Sequence, residues 1–224
     1  PERDRLLIAL APIAPLTRDT SRCGDRPARS APTMAGPATD DEDQALARTR
    51  AWLEQAVIGL ELCPFAKAVH VKGRIRWVLS GATGPEALRA DLRRELETLA
   101  ASPIEAIETT LLLHPHVLTD FLDYNDFLDV ADREIADLGL EGVLQVASFH
   151  PQYRFADVEA DDVSNCTNRS PYPTLHLLRE ASVERAVESH PDTDRIYRDN
   201  IETLRRLGHE GWAKLAAGAL PAKE

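Results

Sequence analysis

The sequence predicts an α/β fold with a small sheet of three to four strands, mainly parallel, flanked by helices. Short apolar segments rich in β-branched residues alternate along the chain with longer segments whose apolar residues recur at helical spacing. Strands that alternate with helices favour right-handed crossovers and parallel pairing. The chain has 224 residues, 43% of them hydrophobic, which is enough for one domain with its own core.

The first half of the domain is predicted to contain two helices and two strands. Apolar residues recur at helical spacing over residues 41–61, and Pro64 ends that helix because proline cannot donate to the helical ladder. Alternation and aromatic content predict the first strand at residues 74–80. Pro85 suits the first position of a leucine-rich helix, and residues 107–113 form the second predicted strand.

The second half is predicted to contain a third strand, a polar loop and further helices. Thr119 is the expected cap of a helix that precedes a strand at residues 143–149. Residues 152–158 are a candidate antiparallel edge strand. Pro173 suits the first position of another helix, and a last helix is expected from about Asp192 to Ala217.

The predicted domain covers residues 41–218, between a disordered extension at residues 1–40 and a short tail at residues 219–224. The extension is rich in Arg and Pro and has no lasting periodicity. Met34 is the single methionine and precedes an acidic helix-start signal. We therefore expect the natural protein to start at Met34.

Charge and composition restrict the function classes. The formal net charge of -11 argues against nucleic-acid binding, and no apolar run reaches the ~20 residues that a membrane span requires. Three cysteines without paired spacing indicate a reducing cytoplasm rather than a secreted disulfide framework. A small-molecule ligand is the expected partner, and the sequence assigns neither a cofactor nor an oligomeric state.

The polar connection at residues 150–172 is the predicted functional site. Ligands of open α/β sheets bind beyond the carboxyl ends of the strands, where this connection starts. His150 is the candidate general acid/base, oriented by Tyr153 or by an acid of the loop. Alternatively, the His150 imidazole bonds a backbone carbonyl and fixes the corner at Pro151.

Two further groups of charged residues could take part in catalysis. Arg169 is a candidate anion clamp before a helix N-terminus, or a structural partner of Asp161 or Asp162. His176 and Glu180 are four residues apart on one predicted helix face. They could form an acid/base pair, or simply a surface contact.

Other side chains could complete the site. Cys63 follows a helix and is either a nucleophile or a buried part of the wall. Asn125 could point into the site from its helix. The candidate substrate-binding residues of the loop are Asn168, Ser170 and Tyr172.

A metal site is a further possibility. His114 and His116 have the i, i+2 spacing that places two side chains on one side of a strand. His150 from an adjacent strand would then give three imidazole ligands and an open coordination position. The alternative is that His114 is a capped loop histidine.

Several long motifs resemble the bacterial domain-of-unknown-function 1415 family. These motifs are LCPFAKAV, LLLHPHVLTDFLDYNDFLD, QVASFHPQYRF and TNRSPYPTLHLLRE. The resemblance runs from about Ala45 to Gly208 and implies a family without an assigned reaction, cofactor or partner. This chain has Cys166 where the family more often has an aromatic residue, so Cys166 is a doubtful catalytic group.

These observations predict a soluble enzyme that acts on a small, anionic molecule through His-based acid/base chemistry. The alternative is a binding module without turnover that holds a metal, haem or small ligand through His114, His150 and Cys63. In a third interpretation, the motifs lock loops that form an interaction surface.

Overall fold

A computed structural model of the protein describes residues 38–156, 158–189 and 193–216. The predicted start at Met34, almost all of the predicted extension and the tail from residue 219 lie outside these residues. The α/β fold is confirmed, since one sheet of four strands is flanked by helices. Among the described helices, none has the length and apolar character needed to cross a membrane.

The elements follow one another from a long N-terminal helix to a kinked C-terminal helix. In chain order they are α1 (Ala38–Trp52), a π-helix (Leu53–Ile58), α2 (Ala66–Val71), β1 (Ile75–Leu79), α3 (Pro85–Ala101), β2 (Thr109–Leu113), α4 (Phe121–Asp137), β3 (Leu144–Phe149), a 3₁₀-helix (Val163–Asn168), β4 (Thr174–Arg179), α5 (Glu180–Ser189) and α6 (Thr193–Ala216).

The sheet is mixed rather than mainly parallel, which corrects the prediction. Its strand order is β1-β2-β4-β3, with β1 and β2 parallel and β4 antiparallel to both of its neighbours. The three predicted strands run in the same direction, but β4 is inserted between β2 and β3. The carboxyl ends of β2 and β3 therefore lie at the same end of the sheet, with β4 between them.

The fourth strand is β4, whereas residues 173–180 were predicted to be helical. Residues 152–158 are not a strand where they are described. Leu177 packs in the core on one face of the sheet, while Leu178 packs with α5 on the other. A strand that is buried on both faces gives a short apolar run, which periodicity alone does not distinguish from a helix.

Each face of the sheet is covered by different helices. The larger core lies between the sheet and the pair α3 and α4, where four leucines of α3 are fully buried. The opposite face is covered by the π-helix, α5 and α6. The main members of the larger core are Leu88, Leu92, Leu96, Leu99, Leu112, Phe121, Tyr124, Phe127, Ile135, Val146, Leu175 and Leu177.

Charged residues connect the helices of the larger core to each other and to the sheet. The carboxylate of Glu134 on α4 is buried and accepts hydrogen bonds from Arg89 and Arg93 on α3. Arg179 of β4 donates to the carbonyl of Ser102, where α3 ends, over 2.6 Å. Such carbonyls lack partners within the helix, so the guanidinium satisfies a helix terminus.

The boundaries of the helices differ from the predictions at three places. Asp120, not Thr119, caps α4, since its carboxylate accepts from the amides of Leu122 and Asp123. The predicted helix at residues 41–61 is α1 followed by the π-helix. The last helix starts at Thr193 and has a non-helical Gly208 inside it, with φ 66°.

Candidate functional site

The predicted site lies where β2 and β3 end and β4 begins. Leu113 and Phe149 both pair with Thr174, so His114 and His150, which follow them, lie on either side of β4. The Tyr124 ring of α4 lies 5.6 Å from the His114 ring and 5.1 Å from the His150 ring, measured between centroids. The three rings form one fully buried aromatic cluster.

Tyr124 joins the ends of two neighbouring strands. Its hydroxyl accepts from the amide of Phe149 over 3.2 Å and donates to the carbonyl of Thr174 over 2.9 Å. Burial raises the pKa of Tyr124 well above its usual value, so the hydroxyl keeps its proton. The phenol therefore serves as a fixed link between β3 and β4.

Both ring nitrogens of His150 have partners. The amide of Gln152 donates to Nδ1 over 3.0 Å, so Nε2 carries the proton and donates to the Leu118 carbonyl over 3.2 Å. Burial lowers the pKa of His150, so the ring is neutral. These contacts match the structural alternative, in which the imidazole fixes a backbone corner.

His114 and His116 do not face the same side, contrary to the expectation for a metal pair. β2 ends at Leu113, so strand alternation does not extend to the two histidines. His114 is fully buried and its Nδ1 donates to the Val117 carbonyl over 3.0 Å, whereas His116 is exposed. Within the described parts of the chain, no group of three or more His, Cys, Asp or Glu side chains could hold a metal ion.

The remaining predicted residues near this edge are buried or bound to the backbone. Tyr153 and Asn125 are 1% and 4% exposed. Asn168 donates from Nδ2 to the Ser148 carbonyl over 3.2 Å. Ser170 donates to the carbonyl of Tyr172 over 2.6 Å.

Arg169 holds the loop rather than preceding a helix. Its Nε donates to the Tyr153 carbonyl over 3.2 Å and its Nη2 to the Ala160 carbonyl over 3.0 Å. The residue lies between the 3₁₀-helix and β4, so the predicted helix N-terminus is not there. Neither Asp161 nor Asp162 is bonded to this guanidinium; it binds carbonyl groups instead.

A cavity of about 120 Å³ lies on the face of the sheet opposite to α3 and α4. Its wall is formed by the sheet, the π-helix, α2 and α5, and the lining side chains are mostly apolar. Cys63, Phe65, Ala66 and Ala186 on the wall are only half-buried, so the cavity reaches the surface. The principal apolar lining residues are Trp52, Leu53, Val57, Ile75, Leu111, Phe149, Leu178 and Val183.

His176 is the polar side chain that β4 contributes to this cavity. Its Nε2 lies 2.7 Å from the hydroxyl of Thr109, which in turn donates to the Leu177 carbonyl over 2.6 Å. Burial lowers the pKa of His176 to about 4, so the ring is neutral at physiological pH. Its Nδ1 is buried and has no hydrogen-bond partner among the described residues.

The predicted pair of His176 and Glu180 on one helix face is wrong. His176 is in β4, and Glu180 begins α5, where its amide donates to the Val143 carbonyl over 3.0 Å. The spacing of four residues suggested one helix face, but His176 and Glu180 lie on either side of the junction between β4 and α5.

Cys63 lies in the segment between the π-helix and α2, and it lines the cavity. Burial raises the pKa of its thiol, which opposes formation of the thiolate. Of the two roles predicted for Cys63, the geometry therefore favours a part of the wall.

Sequence reasoning missed most of the cavity because its apolar lining looks like ordinary core. Trp52, Leu53 and Val57 follow a helical spacing that does not distinguish a π-helix from an α-helix. Of the lining residues, Cys63 and His176 were predicted, and Thr109 offered a further signal as a hydroxyl in an apolar strand. Its significance depends on pairing with β4, which places it near His176.

A family profile described as "Protein of unknown function (DUF1415)" matches residues 44–214. The range agrees with the resemblance found in the motifs. No curated protein and no solved structure gives a significant match to the chain. Because the profile covers more than half of the sequence, the chain belongs to the DUF1415 family of proteins of unknown function.

Proposed function

We propose that the protein binds a small, largely apolar molecule in the cavity between the sheet and the π-helix. The observation that carries the proposal is an apolar cavity of about 120 Å³ with an imidazole in its wall. An engineered protein cavity of ~150 Å³ with a similar apolar lining binds benzene or xenon. The expected ligand therefore has the size of a single small ring.

The π-helix supports this proposal. π-helical turns are rare and occur often at functional sites, because the wide turn moves side chains out of α-helical register. Here the π-helix contributes Leu53 and Val57 to the cavity wall, directly after Trp52. The unusual backbone therefore lies at the cavity and not at a distant part of the fold.

The acid/base enzyme predicted from the sequence receives less support from these contacts. Its proposed base, His150, uses both ring nitrogens on the backbone, and its proposed anion clamp, Arg169, binds carbonyl groups of its loop. Among the described residues of the cavity wall, there is no Lys or Arg that could hold an anion. A cavity of about 120 Å³ is also too small for haem.

Ligand-induced stabilisation with toluene tests the proposal. We expect saturating toluene to raise the melting temperature of the wild-type chain by about 3–6 °C, as a ligand at ten times its Kd adds about 1.4 kcal/mol. The Ala66→Phe variant should lose this response, because the new ring fills the cavity.

Ala68→Phe is the matched control, since Ala68 is exposed on the same short helix. This variant should respond to toluene like the wild type. If toluene leaves the wild-type melting temperature unchanged, or if both variants respond equally, the cavity is not the binding site.

A further inference from the structure

Building on the proposed function, we infer that the ligand is a neutral molecule with a hydroxyl or N–H group that donates a hydrogen bond to Nδ1 of His176. Three observations lead to this chemistry. Thr109 fixes the tautomer of His176, and Nδ1 of His176 has no hydrogen-bond partner among the described residues. The described wall residues also include no charged side chain without a partner of opposite charge. Each concerns side chains that line the cavity.

The tautomer of His176 follows from the single hydroxyl proton of Thr109. That proton is used in the 2.6 Å bond to the Leu177 carbonyl, so the Thr109 oxygen can only accept from Nε2 at 2.7 Å. Nε2 therefore carries the proton of the neutral ring. Nδ1 is left with a lone pair and can only accept a hydrogen bond.

Nδ1 is a buried acceptor that the described residues leave unsatisfied. Buried polar atoms in proteins almost always have a partner, so each exception requires an explanation. The imidazole forms part of the cavity wall, so a molecule in the cavity is the natural source of a donor. A ligand that offers only acceptors, such as a carboxylate or a ketone, would leave this lone pair unsatisfied. The indole N–H of Trp52, which also lines the cavity, likewise has no partner among the described residues, so a group that both donates and accepts, such as a hydroxyl, suits the wall best.

The charges of the wall favour a neutral ligand. Glu108 is the acidic residue that lines the cavity, and its carboxylate already lies 3.6 Å from Arg74 and 3.8 Å from Arg185. Ser182 also donates to Glu108 over 3.3 Å. A cationic ligand would find this carboxylate neutralised, and an anion would find no Lys or Arg among the wall residues that the structure describes.

A comparison of phenol, toluene and benzoate tests the inference, because the three probes share one ring and differ in the polar group. In the wild type we expect phenol and toluene to bind and benzoate to be rejected. The ratio of phenol affinity to toluene affinity should fall about tenfold in His176→Phe, the factor that one hydrogen bond of ordinary strength supplies. Titration calorimetry or a melting-temperature titration gives both dissociation constants.

Nitrogen-15 NMR of the wild-type histidines provides a readout that does not depend on a variant. Nδ1 of His176 should have the chemical shift of an unprotonated nitrogen and move on addition of phenol, while toluene leaves it nearly unchanged. A protonated Nδ1 would overturn the inference, even if His176→Phe fails to fold.

The outcomes separate the inference from the proposed function. If toluene binds but the phenol-to-toluene ratio is the same in His176→Phe, the donor requirement is wrong and the cavity remains a binding site. If benzoate binds more tightly than phenol, the requirement is also wrong. If none of the three probes binds, the proposed function itself fails.

Discussion

His150 and His176 differ in role because their ring nitrogens differ in hydrogen bonding. His150 bonds the backbone at both nitrogens, and its Nε2 holds the carbonyl of Leu118, which has an uncommon φ of 55°. A non-glycine residue with such a φ persists only when its surroundings hold it. We therefore assign His150 to stabilisation of the turn between β2 and α4, which contains Leu118, and of the corner that follows β3. His176 instead has one nitrogen in use and lines the cavity.

Replacing His150 with alanine should lower the free energy of unfolding by about 3 kcal/mol. The variant loses two part-buried hydrogen bonds to the backbone and leaves a cavity beside Tyr124 and Phe121. Urea unfolding measures the loss. His116→Ala is the control, because His116 is exposed and the change should stay within about 0.5 kcal/mol. Equal effects in the two variants would contradict the structural role of His150.

At the scale of the elements, the π-helix and the insertion of β4 shape the molecule most. Gly59 follows the π-helix directly, and a Cβ atom at this position would lie 2.3 Å from the backbone oxygen of Gln55. A side chain cannot fit there unless the backbone moves. The π-helical turn and the cavity beside it therefore depend on a glycine at this position.

Gly59→Ala should lower the free energy of unfolding by about 1–3 kcal/mol, because the new methyl group overlaps the backbone of Gln55 and forces the turn to shift. It should also weaken the toluene response, since the backbone shift displaces Leu53 and Val57. Thermal melts with and without toluene measure both effects. Gly81→Ala is the matched control, because nothing lies within 4 Å of a Cβ atom there and Gly81 is exposed. If Gly59→Ala leaves the free energy of unfolding and the toluene response unchanged, the turn does not require glycine at this position.

At the scale of the whole molecule, burial keeps three histidines neutral in the part of the chain that the structure describes. Burial lowers the pKa of His114 and of His176 to about 4, and it also lowers the pKa of His150. In the unfolded chain a histidine titrates near 6.5. Between these values the unfolded chain binds more protons than the folded chain, so acid favours unfolding.

The free energy of unfolding should therefore be level above pH ~6.5 and fall as the pH drops from ~6.5 to ~4.5. His114 and His176 together account for a loss of up to about 4 kcal/mol over this window, at about 1.4 kcal/mol per pH unit for each histidine. Urea titrations at several pH values measure the slope. In His176→Phe the slope should be smaller by the contribution of about one proton. A profile without slope between these pH values would rule out the buried neutral histidines.

Local patterns in the sequence were sufficient for the long amphipathic helices and for the three strands that end at a clear stop signal. Pro85 starts α3 where predicted, and the three predicted strands contain β1, β2 and β3. β4 was misassigned because Pro173 suited a helix start and because Leu175, Leu177 and Leu178 form a short apolar run that fits a helix as well as a buried strand. Propensity cannot resolve such a run, since the pairing with β2 and β3 decides its conformation.

The sequence by itself determined the α/β class, three of the four strands, the family and the group of histidines that deserve study. Only the tertiary structure decided that His150 has a partner at both ring nitrogens, whereas His114 and His176 each keep one nitrogen without a partner among the described residues. That property depends on partners far away in the chain: Thr109 for His176 and Leu118 for His150. It also decided that β4 separates His114 from His150 and brings His176 to the cavity. Hydrogen-bond partners and cavities arise from contacts between distant segments, and no local spacing encodes them.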